Sequence, residues 1–196
     1  MSALDGLSSA RFSTLLAGQN QALQLAMSGA PLREVLTVLV HCAEAQSDRS
    51  FLGSILLLDA DGKHLRHGAA PSLPAAYNAA IDGIAIGPSV GSCGTAAHFG
   101  HSIFVTDIER DPLWANFKDL ALGHGLRACW STPFVSRDRA VLGTLALYYR
   151  EPRGPSENDR DVVKLIGGTA ALIVENARLH ARVGELEDRV RAAPDA

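Results

Sequence analysis

The chain reads as an α+β protein in which helices from both ends flank a sheet built in the middle. Three observations predict this. Apolar residues recur at helical spacing near both termini, short β-rich apolar runs fill the centre, and the stretches between them carry turn chemistry. The 196 residues are 47% apolar, which fits one ordinary domain with an extension and a core large enough to need no staple.

Taken in order, residues 9–27 set Phe12, Leu15, Leu16, Leu23 and Met27 near helical period, and Ser28-Gly29-Ala30-Pro31 breaks that helix. A second helix runs from Pro31 with Leu32, Val35, Leu36 and Leu39 on one face. Cys42 falls on the same stripe and reads as a small buried hydrophobe. Phe51 to Leu58 and Lys63 to Ala69 form a hairpin around Asp59-Ala60-Asp61-Gly62, and Pro71 to Ile81 suggests a short helix. Strands follow at residues 102–105, 125–130 and 139–149. The last is the strongest, with Val141, Leu145, Leu147 and Tyr149 placed in a buried sheet. Between the first two lies a helix capped by Asp111, opened by Pro112 and closed by Gly123, with Leu113, Phe117 and Leu120 on one face and Trp114 at its edge. The element order is α-α-β-β-α-β-α-β-β-α.

The last helix opens at Pro155 and Ser156, with Asp159 placed to complete a capping box. Leu165, Leu172, Leu179 and Leu186 then recur at heptad spacing, and Val162, Thr169, Asn176, Val183 and Val190 fill the alternate seam position. Such a seam pairs helices, and an Asn within it favours a parallel, in-register dimer. The expected homodimer interface is Leu165, Leu172, Asn176, Leu179, Val183 and Leu186. The chain divides accordingly into an N-terminal helix (1–29), a core (30–155) and a C-terminal signalling coiled coil (156–196).

Charge excludes several functions. Eighteen basic residues against 21 acidic ones leave no basic stripe to neutralise phosphates, so neither nucleic acid nor an anionic membrane is an expected partner. No apolar run approaches the ~20 residues that cross a bilayer, and the N-terminus lacks the order of a signal peptide, so a cytoplasmic location is expected. Cys42, Cys93 and Cys129 match no metal spacing or disulfide framework, and His64, His67, His98 and His101 are scattered, so no metal site is expected.

The segment from Gly91 to Pro133 has the composition of a pocket. Gly91-Ser92-Cys93-Gly94-Thr95-Ala96-Ala97 gathers small residues at a helix start, where free N–H groups and absent side chains let a ligand approach, or where a short helix packs tightly on the sheet. Cys93 there is either a small lining residue or a thiol favoured by the helix dipole. Asp107 in Thr106-Asp107-Ile108 caps the following turn or touches a ligand. The Trp114 and Phe117 helix can cover something apolar, and His124 lies at its exit. Strand alternation puts Leu126, Ala128 and Trp130 on one face and Arg127 and Cys129 on the other, so Trp130 and Cys129 cannot serve one site. Trp130, with its apolar body and single N–H, suits a pocket wall. The candidate ligand-binding set is Cys93, Gly94, Asp107, Trp114, Phe117, His124, Trp130 and Thr132, with no catalytic residue. A small molecule, an anion among the candidates, is the expected ligand.

GSCGTAA, the TDI step, DPLW, HGLRACWSTP and VLGTLALYYREPRGP together resemble GAF domains of bacterial signalling proteins, especially those of sensor histidine kinases and diguanylate cyclases, over roughly residues 30–178. The resemblance implies a six-stranded antiparallel sheet, terminal helices on one face and a ligand pocket on the other. It also implies a regulatory, usually dimeric module passing a signal along its C-terminal helix, here to a two-component or cyclic-di-GMP output in cis or in trans. The NKFDE-type motif of cyclic-nucleotide binders is missing, as is the Cys-His pair of bilin binders, so neither of those cofactors is expected; haem stays open, with no histidine pattern to select its ligand, and the cofactor is left unnamed. Free methionine-(R)-sulfoxide reductases are the enzymatic relatives, and Val90 to Ala97 looks like their GVCGTAA segment. The catalytic cysteine of that group would fall near Leu122, so one thiol at most is expected at the site. A non-catalytic sensor follows, with the reductase and a degenerate dimerisation module as the alternatives.

Overall fold

The computed structural model describes residues 9–46 and 51–192. Two helices come first: α1 (Ser9–Met27) and α2 (Leu32–Glu44). Gly29, at φ 79°, ends α1 in a Schellman turn, with its own N–H bonded to the Ala26 carbonyl and that of Ala30 to Leu25. The predicted hairpin follows as β1 (Leu52–Leu58) and β2 (His64–Ala69), turned by Asp61, whose carboxylate accepts from the Lys63 and His64 backbone. Then come α3 (Ala75–Ile81), β3 (Ile84–Ala85), α4 (Gly91–Phe99), β4 (Ile103–Val105), a 3-10 turn (Pro112–Trp114), α5 (Lys118–Gly123), β5 (Ala128–Val135), β6 (Val141–Tyr149) and α6 (Glu157–Ala192).

The six strands form one antiparallel sheet in the order β3-β2-β1-β6-β5-β4. The two-residue β3 and the helix α4 are absent from the element order expected from sequence, because β3 carries too short a pattern to be seen and α4 is made of small residues without an apolar stripe. The expected single helix over residues 111–123 is broken. Asp111 caps only a 3-10 turn, accepting from the Leu113 N–H at 2.9 Å, and α5 starts afresh after Phe117. The strand expected at residues 125–130 begins later and runs on through Pro133. Its neighbour β4 pairs only with Cys129 to Ser131, so Pro133 faces no partner on that side and its missing N–H costs no ladder bond.

Both faces of the sheet are covered. On one, Ile55, Trp130, Phe134, Leu145, Leu147 and Tyr149 pack under α1, α2 and α6. On the other, Leu56, Cys129, Ala146 and Tyr148 pack under α3, α4, the 3-10 turn and α5. Strand β6 is central, so its two alternating sets are both buried, not only the Val141, Leu145, Leu147 and Tyr149 set read from sequence. Val141 itself leaves that set for the α4 side, where the ladder with β5 is irregular between Phe134 and Val135.

Helix α6 begins as expected. Ser156 Oγ and the Asp159 carboxylate cap each other's ends, at 2.6 Å between the side chains and 2.8 Å from the Ser156 N–H to Asp159. The buried Asp159 also accepts from the Tyr149 hydroxyl at 2.9 Å and from Arg153 at 3.2 Å. Val162, Ile166, Ala170, Ile173 and Val174 bury the first half of α6 on the sheet. Val162 and Thr169, expected in the dimer seam, are therefore engaged within the monomer, Thr169 with Gln19 of α1. Leu165 is partly buried in the same core, and its carbonyl accepts from Gln19. The stripe that remains exposed is Leu172, Leu179, Val183, Leu186 and Val190.

Candidate ligand pocket

Helix α4 lies across the sheet because its residues are small enough to approach it closely. Gly91 takes φ 54°, and a Cβ there would meet the Trp114 ring at 3.6 Å. The Trp114 indole thus lies against the start of α4. Its Nε1–H donates to Ser92 Oγ at 3.1 Å, and the Ser92 hydroxyl donates in turn to the Cys129 carbonyl at 2.9 Å. This chain of bonds ties the 3-10 turn, α4 and β5 into one unit. Beneath it is a cavity of about 30 Å³, lined by Leu56 and Tyr148 from the sheet, Tyr77 and Ile81 from α3, Ile84, residues 90–94, Trp114, Phe117 and Leu120. That volume holds one or two water-sized molecules.

The polar groups in this apolar site are few and in contact. The Tyr77 hydroxyl donates to that of Tyr148 at 3.3 Å, and the Tyr148 hydroxyl lies 3.8 Å from Cys93 Sγ. Burial pushes both tyrosine hydroxyls well above their ordinary range, so both stay protonated donors. The neighbouring Cys129 thiol draws Cys93 down to about 7 against the opposing effect of burial; Ser131, Tyr148 and Thr144 add smaller contributions. Cys129 moves the other way, pushed up first by burial and then by Cys93.

Four of the eight sequence-predicted residues, Cys93, Gly94, Trp114 and Phe117, line the cavity. His124 stands behind it, with its ring edge-on to that of Tyr77 at 5.7 Å. Asp107 does not reach it; its carboxylate accepts from the Glu109 N–H at 3.1 Å and pairs with Arg110. Trp130 and Thr132 lie on the opposite face of the sheet. There Trp130 stacks against Tyr149 and donates to the Arg153 carbonyl, and Thr132 bonds Ser102 at 2.9 Å. The alternation argument correctly separated Trp130 from Cys129 but joined the wrong one to Cys93. Cys93 is the thiol that lines the cavity, and Cys129 lies behind it on β5. Leu126 also lies on the Cys129 side, since alternation starts only with the strand at Ala128.

Sequence reasoning missed Tyr77, Tyr148, Leu56 and Ile81. Tyr148 was within reach of the alternation used for β5, because Cys129 pairs with it across the ladder. Tyr77 and Ile81 lie on a short helix whose docking no local pattern reports. No charged side chain is among the described lining residues, so the polar groups offered to a ligand are the tyrosine hydroxyls, Cys93 and the backbone at the start of α4.

An antiparallel sheet with a small apolar cavity on one face and the helices of both chain ends on the other defines a pocket-bearing α+β module. Comparison with known proteins gives it a family. The chain belongs to the GAF domain family, whose model matches residues 29–175. A curated relative, the methyl sulfide methyltransferase-associated sensor of Methanosarcina acetivorans, is 36% identical over 181 residues, which are 92% of this chain and 18% of that sensor. The chain thus spans less than a fifth of the relative's length. Among solved structures, the GAF domain of an Acinetobacter phosphoenolpyruvate-protein phosphotransferase superposes with TM-score 0.67 at 16% identity, over 90% of this chain and 99% of that one. The free methionine-R-sulfoxide reductase of Neisseria meningitidis, solved with its substrate, gives TM-score 0.65 at 15% identity, over 89% and 96%. At such identities these two likenesses speak for the fold alone. No helix among the described residues is long and apolar enough to cross a membrane.

Proposed function

We propose that this is a non-catalytic, cytoplasmic sensor module that takes a small molecule in the cavity under Trp114 and relays its presence through a homodimeric α6 to a kinase- or cyclase-type output, in cis or in trans. One observation carries the reading. Tyr148 lines the cavity, while its neighbour Tyr149 reaches through the other face of the sheet to Asp159, the residue that caps α6. A shift of β6 of a few tenths of an ångström would thus be felt at both places, and a ligand preferring one arrangement would bias the helix. The apolar lining selects an apolar or weakly polar ligand, and anything much larger than water needs the 3-10 turn and α5 to move outward. The binding residues in this reading are Cys93, Gly94, Trp114, Phe117, Tyr77 and Tyr148, with His124 behind them. The dimer stripe is Leu172, Asn176, Leu179, Val183 and Leu186, on a helix that runs about 54 Å.

The test has two arms. Thermal denaturation of the purified chain with a series of small apolar solutes should give a stabilisation that Trp114→Ala alters. Sedimentation should give a dimer that the double change Leu179→Asp, Val183→Asp converts to monomer with the fold intact. A chain that is monomeric at every concentration, or a solute response indifferent to Trp114, would overturn it.

The sulfoxide reductase is a second reading, favoured by a cavity-lining Cys93 with Cys129 buried on the strand behind it. Against it stands the lining, which offers no charged group to an amino-acid ammonium or carboxylate. Thiol-dependent turnover of free methionine sulfoxide, lost in Cys93→Ser, would establish it, and inactivity of the native chain would end it.

A further inference from the structure

The two buried cysteines ask for an explanation that ligand binding does not supply. Cys93 lines the cavity and is the thiol an incoming molecule meets, whereas Cys129 lies behind it in β5 with no exposure at all. Around them the sheet floor is more polar than a packing surface needs. The hydroxyls of Ser131 and Thr144 are buried without a partner among the described residues, and Ser92, next to Cys93 on α4, donates to the Cys129 carbonyl at 2.9 Å, which brings the two cysteines together where α4 rests on β5. Ser54, one strand further on, is a third buried hydroxyl without a partner among the described residues. Burying a hydroxyl with nothing to bond is costly, so three along one floor mark a place built for a charged or oxygen-bearing species. A sulfur that is a thiolate at one time and carries an oxygen at another is such a species.

We propose that Cys93 and Cys129 form a redox dithiol that a small hydroperoxide entering the cavity oxidises to an intramolecular disulfide. The Cys93 thiolate attacks one oxygen of the hydroperoxide: an S–O bond forms, the O–O bond breaks, and the departing alkoxide or hydroxide takes up a proton, leaving Cys93 as a sulfenic acid. Cys129 then attacks that sulfur: the S–S bond forms, the S–O bond breaks, and the hydroxide leaves with the Cys129 proton as water. Two thiols and one hydroperoxide become one disulfide, one alcohol or water, and one further water; the thiols lose two electrons and the O–O bond gains them. The roles follow from position. Cys93, already favoured as thiolate by the donors around it, is the attacking sulfur, and Cys129, shielded and held protonated, is the resolving one. A cavity with room for one or two water-sized molecules admits hydrogen peroxide and excludes bulky oxidants. The inference needs the two sulfurs and an entry, not a retained ligand, so it stands apart from the sensor reading.

Cys42 supplies the internal control. It is also a buried free thiol, but it lies between α1 and α2, bonded to the Leu15 carbonyl, with its thiol pushed up by burial. The experiment treats the reduced, purified chain with hydrogen peroxide, blocks remaining thiols by alkylation and maps peptides without reduction. A cross-linked Cys93–Cys129 peptide that dithiothreitol reverses is expected, with Cys93 consumed at least ~10-fold faster than Cys42. In Cys129→Ala, Cys93 should accumulate a sulfenic acid that dimedone traps, and Cys93→Ala should give neither product. If Cys129→Ala fails to fold, the map of the native chain decides alone. No cross-link at peroxide doses that already oxidise Cys42, or consumption of Cys93 and Cys42 at equal rates, would overturn the proposal. A chain that binds no solute yet forms the cross-link would sink the sensor reading and keep this one.

Discussion

The two faces of the sheet differ in what they bury. The helix face holds large apolar side chains from three long helices, closed by Ile55, Leu145 and Ile166 with essentially no exposure. The α4 face is roofed by short elements and small residues, keeps a small apolar cavity, and buries the hydroxyls of Ser54, Ser131 and Thr144 without a partner among the described residues. Close packing stabilises, while a cavity and half-satisfied polar groups cost stability and are kept where something is to be bound or transformed. One face holds the fold and the other holds the candidate site.

Mutations can break this contrast. The largest effect expected is for Ile166→Ala, which removes a fully buried side chain between α6 and the sheet; urea denaturation should show a loss of about 2–5 kcal/mol. Asp159→Ala comes next. It strips the cap of α6 and leaves the Tyr149 hydroxyl and the Arg153 guanidinium without their acceptor, for about 2–3 kcal/mol and a frayed α6 start in hydrogen exchange. Trp114→Ala should cost about 1–3 kcal/mol, less than a wholly enclosed aromatic, because it widens a space that already exists; small apolar solutes should recover part of the loss. If Trp114→Ala proved as costly as Ile166→Ala and no solute restored it, the α4 face would be core like the other.

The smallest effect concerns pH. Burial first, and Arg33 beside it, lower the pKa of His67 below its ordinary 6.5. The unfolded chain therefore binds that proton at a pH where the folded chain still refuses it, so stability falls as pH drops through about 6.5 and levels off below the folded value. His67→Gln should flatten that part of the profile in denaturant titrations. An unchanged slope would show that His67 is not its source.

Much of the scaffold was legible because it depends on repeating patterns. The helical periods of α1, α2 and α6, the Asp61 turn and the Ser156–Asp159 cap all came through, since each is decided within a few residues. The pocket was legible only in part. Gly94, Cys93, Trp114 and Phe117 were found by local composition, but Trp130 and Thr132 were assigned to it although they face the other way. Period-two alternation says that Cys129 and Trp130 are opposed and does not say which faces α4. That choice is made by the packing of α4 on β5 through Ser92 and the Cys129 carbonyl, a contact 37 positions apart in sequence. The heptad stripe shows the same limit: it continues through Val162 and Leu165, which the monomer uses for its own core, and is left exposed from Leu172.

The sequence by itself determined the α+β class, the terminal helices and their caps, and the family, because local propensity and apolar spacing act over one or two turns of chain. Only the tertiary structure decided which side of β5 meets α4, and with it the place of Cys129 behind Cys93, the small apolar cavity under Trp114 and the division of α6 between core and open stripe. Those depend on which surfaces bury one another, and that is settled by long-range packing rather than by any neighbour in sequence.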